Sequence, residues 1–212
     1  MNEKGKFIVI EGPDGVGKTT IINNLKKECP SAIFTREPGG TKIGNDIRKI
    51  LLYSKESIEK NSEINLFMIS LQETTKKIIE PALKTGKIVI SDRWYYSTQC
   101  YQFYTEIKHT KTPIIKHSNS DNLMRKYLKN YNIIKPDLTI VLQASWKTIM
   151  ERINKRSKEN NIDNFEIKDI NFKKKVYEYY KYLSEFPNYD NIININTEKS
   201  IDLIIKNIKK LI

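Results

Sequence analysis

Three glycines, a lysine and two threonines stand at fixed spacing near the start of the chain, in Gly12-Pro13-Asp14-Gly15-Val16-Gly17-Lys18-Thr19-Thr20. This is G-x-x-x-x-G-K-[ST], a spacing suited to phosphate chemistry. The glycines let the backbone turn so that successive N–H groups converge on an anion, and a helix N-terminus directly behind them adds positive potential. Lys18 is long enough to reach the outer phosphates, and the Thr19 hydroxyl can ligate Mg2+. The motif follows the apolar run Phe7 to Ile10 and precedes Ile21, Ile22 and Leu25 at helical spacing. That strand–loop–helix context separates it from a chance match and predicts a nucleoside triphosphate site.

The elements that must position this loop read as an α/β chain. Five β-rich runs are predicted at Phe7 to Glu11, Ala32 to Arg36, Lys87 to Ser91, Leu138 to Gln143 and Asn191 to Asn196. Each is nearly continuously apolar or β-branched, the mark of strands buried on both faces of a parallel sheet, and the intervals are long enough for crossover helices. Gly86 and Pro136 punctuate the third and fourth runs, and Ile201, Ile204, Ile205, Ile208 and Leu211 mark a last helix. The expectation is one domain over residues 1–212, a doubly wound five-stranded parallel sheet of the P-loop NTPase type flanked by helices. Ligands of such a sheet gather at the carboxyl ends of its strands.

Two stretches depart from the pattern. Residues 103–121 hold both histidines, His109 and His117, with Pro113 and many polar residues, and read as a surface insertion. Neither histidine has a carboxylate or Cys at ligand spacing, so no metal role is assigned to them. From Glu151 to Asp163, Arg152, Lys155, Arg156 and Lys158 crowd a polar helix-to-loop segment. By itself this is a solvated charge run; behind a P-loop it reads as a mobile lid, over about residues 151–167, that brings cations to a transferring phosphate.

The net charge of +12 raises nucleic acid as a partner. The lysines are scattered, however, and clusters such as Lys173 to Lys175 and Lys206 to Lys210 alternate with apolar positions as solvated helix faces do. No apolar run approaches the ~18 residues of a membrane span, and no secretory leader is recognisable. A soluble, cytoplasmic protein is expected. Cys29 and Cys100 lie far apart with neither metal-ligand spacing nor a disulfide framework, and read as reduced thiols.

Two further motifs end predicted strands: Arg36-Glu37-Pro38-Gly39-Gly40-Thr41 and Asp92-Arg93-Trp94-Tyr95-Tyr96-Ser97-Thr98-Gln99-Cys100-Tyr101-Gln102. With the P-loop, with Pro81-Ala82-Leu83, Lys135-Pro136-Asp137-Leu138-Thr139 and Asp163-Asn164-Phe165-Glu166, they resemble the thymidylate (dTMP) kinase family across nearly the whole chain. The resemblance implies ATP- and Mg2+-dependent phosphorylation of dTMP to dTDP, and a homodimer. A kinase for another pyrimidine deoxynucleotide, or a P-loop protein that binds nucleotide and nucleic acid without kinase activity, would share parts of the pattern.

On that resemblance Arg36 and Arg93, whose forked donors suit bidentate phosphate contacts, are expected to hold the acceptor phosphate. Asp14, a carboxylate repelled by a triphosphate unless a cation or hydroxyl intervenes, is carried over as a group between the acceptor and its arginines. Asp92 looks like the carboxylate that holds Mg2+ with Thr19, with helix capping as its plain alternative. The P-loop carries no arginine, as in the bacterial branch, so the catalytic cation is expected from Arg152 or Arg156, although Asn164 stands where bacterial lids often carry an arginine. Phe67 matches an aromatic that stacks on the base, and Ser97, Thr98 and Tyr101 match the same pocket. Leu71 falls where the family usually places a base-reading arginine.

Overall fold

In the computed structural model, residues 5–107, 113–156, 164–165, 167–185 and 191–212 are described; the side chains of 113–117, 156 and 184 are not. Five strands, β1 (Lys6–Glu11), β2 (Ile33–Arg36), β3 (Ile88–Asp92), β4 (Leu138–Gln143) and β5 (Ile192–Asn196), form one sheet in the order β2-β3-β1-β4-β5. Every pairing is parallel, with Ile10 opposite Asp92 on one side of β1 and opposite Ile140 on the other. Each strand falls within about one residue of its expected run.

Strand alternation divides the core into two layers, because successive side chains point to opposite faces. Phe7, Val9, Val89 and Val141 face one cluster, which takes in α2 (Lys42–Tyr53), α3 (Lys60–Thr74) and α8 (Ile170–Tyr182) through Leu51, Met68 and Tyr179. Ile8, Ile10, Ile90, Ile140 and Leu142 face the other, covered by α1 (Lys18–Glu28) through Ile21 and Leu25 and by α9 (Ile201–Lys209) through Ile204, Ile205 and Ile208. Trp94 is fully buried edge-on to Phe7 and donates its indole N–H to Ile134.

α3 runs through a π-helical turn (Thr75–Ile79) into α4 (Glu80–Lys84), and α5 (Tyr95–Thr98) runs into a second π-helical turn, Gln99–Phe103. α6 (Pro113–Asn130) and α7 (Trp146–Arg156) complete the helices introduced here. Among the described residues no helix is long and apolar enough to cross a membrane. The basic clusters lie on helix surfaces: Lys206, Lys209 and Lys210 are exposed on or just beyond α9, with Lys209 bonded to Glu28.

Part of the expected insertion is core instead. Phe103, Tyr104 and Thr105 are buried, as are Ser120 and Asp121 in α6. The wide turn at Gln99–Phe103 buries five consecutive residues, a pattern that matches neither helical nor strand periodicity and so reads as irregular sequence. His109 lies outside the described residues, and His117 lies in α6.

The centre of the sheet is pinned by a reciprocal pair at the start of β4. Phe7 N–H donates to Asp137 Oδ2 at 2.7 Å, and Asp137 N–H donates to the Phe7 carbonyl at 2.8 Å. Asp137→Ala keeps one bond and orphans the other donor, and is expected to lower unfolding free energy by ~1 kcal/mol in urea titration, with catalysis at low temperature retained. An unchanged midpoint would show that the clamp adds nothing.

Candidate active site

The phosphate loop leaves β1 through Gly12 (φ 148°) and returns through Gly15 (φ 78°). Only glycine adopts these angles readily, and space enforces the choice too. A Cβ on Gly12 would lie 2.8 Å from the Leu142 carbonyl oxygen, and one on Gly15 2.9 Å from that of Ile149. Lys18 opens α1 with its side chain folded back, Nζ donating to the carbonyls of Gly12 and Pro13 at 2.9 Å each. Burial, followed by the nearby Arg93 charge, lowers its ammonium to about 8.

Beside this loop lies a cavity of about 730 Å3, bordered by residues 14–21, Asp92, Arg93, Arg152, Thr197 and Lys199. A second cavity adjoins it, bordered by Glu37, Pro38, Phe67, Ser97, Thr98, Tyr101 and Phe165. Asp14, Arg48 and Arg93 border both. The two spaces therefore meet at one carboxylate and two guanidinium groups.

Arg93 follows the last residue of β3 and sits at φ 70°, an uncommon angle for a residue with a side chain. Its side chain is tied on several sides. It pairs with Asp14 Oδ1 at 2.5 Å and donates to the Gly12 carbonyl at 3.1 Å and to Ser97 Oγ at 3.0 Å. Asp14 Oδ2 accepts in turn from the Tyr101 hydroxyl at 2.8 Å. These contacts bring Asp14 of the phosphate loop against Arg93, Ser97 and Tyr101, which recur four residues apart in one motif.

Asp92 lies at the carboxyl end of β3 and borders the first cavity along with Thr19. Its Oδ1 is buried without a hydrogen-bond partner among the described residues. An orphaned carboxylate oxygen beside a threonine at the foot of a phosphate loop suits a divalent cation, and Mg2+ takes few protein ligands besides substrate phosphates. Capping of α5 falls instead to Glu11. Its Oε1 accepts from Trp94 N–H at 2.8 Å and from Ser97 N–H at 3.2 Å, and its Oε2 from Ser97 Oγ and the Tyr180 hydroxyl at 2.8 Å each.

The lid residues are placed in part. Arg152 borders the first cavity and is already anchored, donating to the Val16 carbonyl at 2.9 Å, to Thr197 Oγ1 at 3.2 Å and to the Thr197 carbonyl at 3.1 Å. Arg156 ends α7, and residues 157–163 and 166 lie outside the described set. Asn164 N–H donates to the Leu52 carbonyl and its amide to that of Ser54, satisfying carbonyls that the end of α2 leaves open. Phe165 is set between Phe67 and Tyr101, its ring centroid 6.1 and 5.6 Å from theirs.

Two of the singled-out residues border neither cavity. Arg36 is exposed at the end of β2 and borders neither cavity, because alternation along the extended chain turns Glu37 inward and Arg36 out. The second guanidinium comes from Arg48 on α2, which also donates to the Pro38 carbonyl at 3.0 Å. Leu71 lies one helical turn past Phe67 but is 1 % exposed within the core and does not border the cavity. Arg48, Glu37 and Phe165 border the second cavity without having been expected to; Glu37 and Phe165 lie in motifs that carry the resemblance, and Arg48 lies between Ile47 and Leu51, at the edge of the buried stripe of α2.

A family model described as thymidylate kinase matches residues 10–208. The chain is similar to the thymidylate kinase of Mycoplasma mobile, 36 % identical with 95 % of each chain covered. It is 32 % identical to that of Caldicellulosiruptor saccharolyticus, over 99 % of this chain and 96 % of the relative. Among solved structures, the thymidylate kinase of Candida albicans aligns with a TM-score of 0.73 at 24 % identity, covering 98 % of this chain and 91 % of that one. That of Ehrlichia chaffeensis aligns with a TM-score of 0.66, also at 24 % identity, covering 98 % of each chain.

Glu37 generates a pH-dependent expectation. It is buried, accepts from Ser70 Oγ at 2.7 Å, and burial pushes its carboxyl up from 4.5 to about 8. A group raised in the folded state contributes stability that is full below its unfolded value and lost as pH rises through its folded one. Relative to Glu37→Gln, the wild type is therefore expected to lose thermal stability as pH rises from about 4.5 through about 8. Parallel Tm profiles for the two proteins would show that Glu37 does not titrate in this way.

Proposed function

The chain belongs to the thymidylate kinase family, and on that premise we propose that it transfers the γ-phosphoryl group of ATP to dTMP, giving dTDP and ADP. The observation that carries the reading is the meeting of the two cavities at Asp14, Arg48 and Arg93. A donor phosphate on the loop and an acceptor phosphate in the second cavity are there placed end to end. Phosphoryl transfer asks little covalent work of a protein and much positioning and cationic charge.

In this reading the backbone N–H groups of residues 12–20 cradle the donor, and Lys18 exchanges its two carbonyl partners for phosphate oxygens. Arg93 and Arg48 take the acceptor phosphate. Asp14 orients Arg93 and, through Tyr101, the wall next to the sugar. Phe67 and Phe165 bracket the base with apolar surface, and Thr98 gives it a polar contact. Thr19 and Asp92 would hold Mg2+, which when bound neutralises phosphate charge. Arg152 fixes the loop from behind through Val16 and Thr197 and faces the donor from α7.

The protein acts in the cytoplasm as a homodimer in this proposal. Ile50 and Tyr53 on α2 and Ile69 on α3, two helices packed together, are large apolar side chains left exposed. Light scattering is expected to return twice the chain mass of 24.9 kDa, and the chain mass itself would refute the dimer.

Release of ADP from ATP is expected with dTMP as acceptor and not with DNA in its place. Lys18→Ala is expected to lower kcat by ~100-fold or more, because it removes a charge that follows the phosphoryl group into the transition state. Arg93→Ala is expected to raise the KM for dTMP far more than that for ATP. Equal changes in the two constants would place Arg93 outside the acceptor site.

A further inference from the structure

Glu11 is the last residue of β1 and its side chain is fully buried, yet it touches neither cavity. Its carboxylate collects four donors from two other elements: the N–H groups of Trp94 and Ser97, the Ser97 hydroxyl and the Tyr180 hydroxyl of α8. An ionised carboxylate only accepts and has room for about four such bonds. Capping α5 accounts for the two N–H groups. It leaves unexplained why two hydroxyls converge on Oε2.

Arg93 supplies the reason. Its NH1 lies 3.0 Å from Ser97 Oγ and 3.4 Å from the Tyr180 hydroxyl, and a guanidinium only donates. Both hydroxyl oxygens must therefore turn lone pairs toward Arg93. Each hydroxyl has one proton; Glu11 Oε2 lies 2.8 Å from both, and the two hydroxyls lie 2.9 Å from each other, so the three oxygens share two protons in one cluster that Glu11, an acceptor only, closes. Glu11 thus anchors a pair of hydroxyls that present oxygen to one edge of the guanidinium, while Asp14 holds the other edge. Burial raises the Glu11 carboxyl, and the Arg93 charge, with the donors from Ser97, Trp94 and Tyr180, opposes that rise.

We propose that Glu11 is a positioning residue for Arg93, aligning it on the acceptor phosphate through the hydroxyls of Ser97 and Tyr180. The inference rests on the dTMP kinase reading. Because Tyr180 lies on α8, Glu11 also links the phosphate loop, the strand end carrying Arg93 and the helix that follows the lid segment.

The test is steady-state kinetics of the full chain with each substrate varied. Glu11→Gln keeps the shape but places an N–H₂ group among donors, and the arrangement that spares the backbone N–H groups turns it on Ser97 and Tyr180. The two hydroxyl protons then lose Oε2 as their acceptor and must turn elsewhere, which unfixes the lone pairs presented to Arg93. The KM for dTMP is expected to rise about tenfold or more with a fall in kcat, since small misplacements of a phosphate clamp are costly, while the KM for ATP stays within about twofold. Tyr180→Phe removes one hydroxyl and is expected to give the same pattern at smaller amplitude, and in the Glu11→Gln background to add nothing further. Equal shifts in both KM values, or no shift in that for dTMP, would overturn the proposal. If Glu11→Gln does not fold, Tyr180→Phe alone decides: an unchanged KM for dTMP rejects the inference. Wild type that fails to turn over dTMP would instead reject the functional reading on which the inference stands.

Discussion

The pairing of Asp14 with Arg93 is the constraint around which the site is organised. A carboxylate inside a phosphate loop is repelled by the ligand that the loop exists to bind, so it needs a cation held against it before the ligand arrives. Arg93 fills that place, with a side chain only 16 % exposed and a backbone in the left-handed region. Such an arrangement persists only where surrounding structure determines it. Here the determining parts are the parallel register that sets Asp92 opposite Ile10, the bond from Arg93 N–H to the Ile10 carbonyl, and the polar cluster of Glu11, Ser97 and Tyr180.

The same register explains why the charges do not annul the site. Glu11, Asp14 and Asp92 stand against Lys18 and Arg93 across the carboxyl ends of β1 and β3, and each Coulombic attraction raises the buried Lys18 against the pull of desolvation. Paired charges in a buried cluster hold one another in place, and a phosphate entering such a site meets donors already oriented. Arg152 contributes from the far side of the loop by tying Val16 to Thr197. The P-loop is consequently fastened to β3, α7 and the segment after β5 by side chains, with its own backbone left to face the ligand.

Much of this was legible in the sequence. The five strands were readable because strands buried on both faces are written as continuous apolar runs, and the P-loop because its glycines answer local backbone demands. What was not legible is tertiary. Arg36 and Arg48 are equally basic on paper, and only the alternation across Arg36-Glu37 and the packing of α2 decide which one meets the acceptor cavity. That Leu71 lies in the core rather than at the cavity wall depends on how α3 is turned against the sheet, which its spacing from Phe67 does not reveal. Phe103 to Thr105 looked like surface because a π-helical turn and the 3₁₀ turn after it (Tyr104–Glu106) bury consecutive residues without the period that marks a buried face. Glu11 gave no signal at all, since its four donors come from residues about 80 and 170 positions away.

The central claim is that donor and acceptor phosphates meet at Asp14, Arg48 and Arg93. It is tested most directly by calorimetric binding of adenosine and thymidine joined 5′ to 5′ through a phosphate chain. One molecule per site that displaces both ATP and dTMP, and that loses affinity in Arg48→Ala, is the result expected. A compound that competes with ATP while leaving dTMP binding unchanged would contradict it, because the two cavities would then not be continuous.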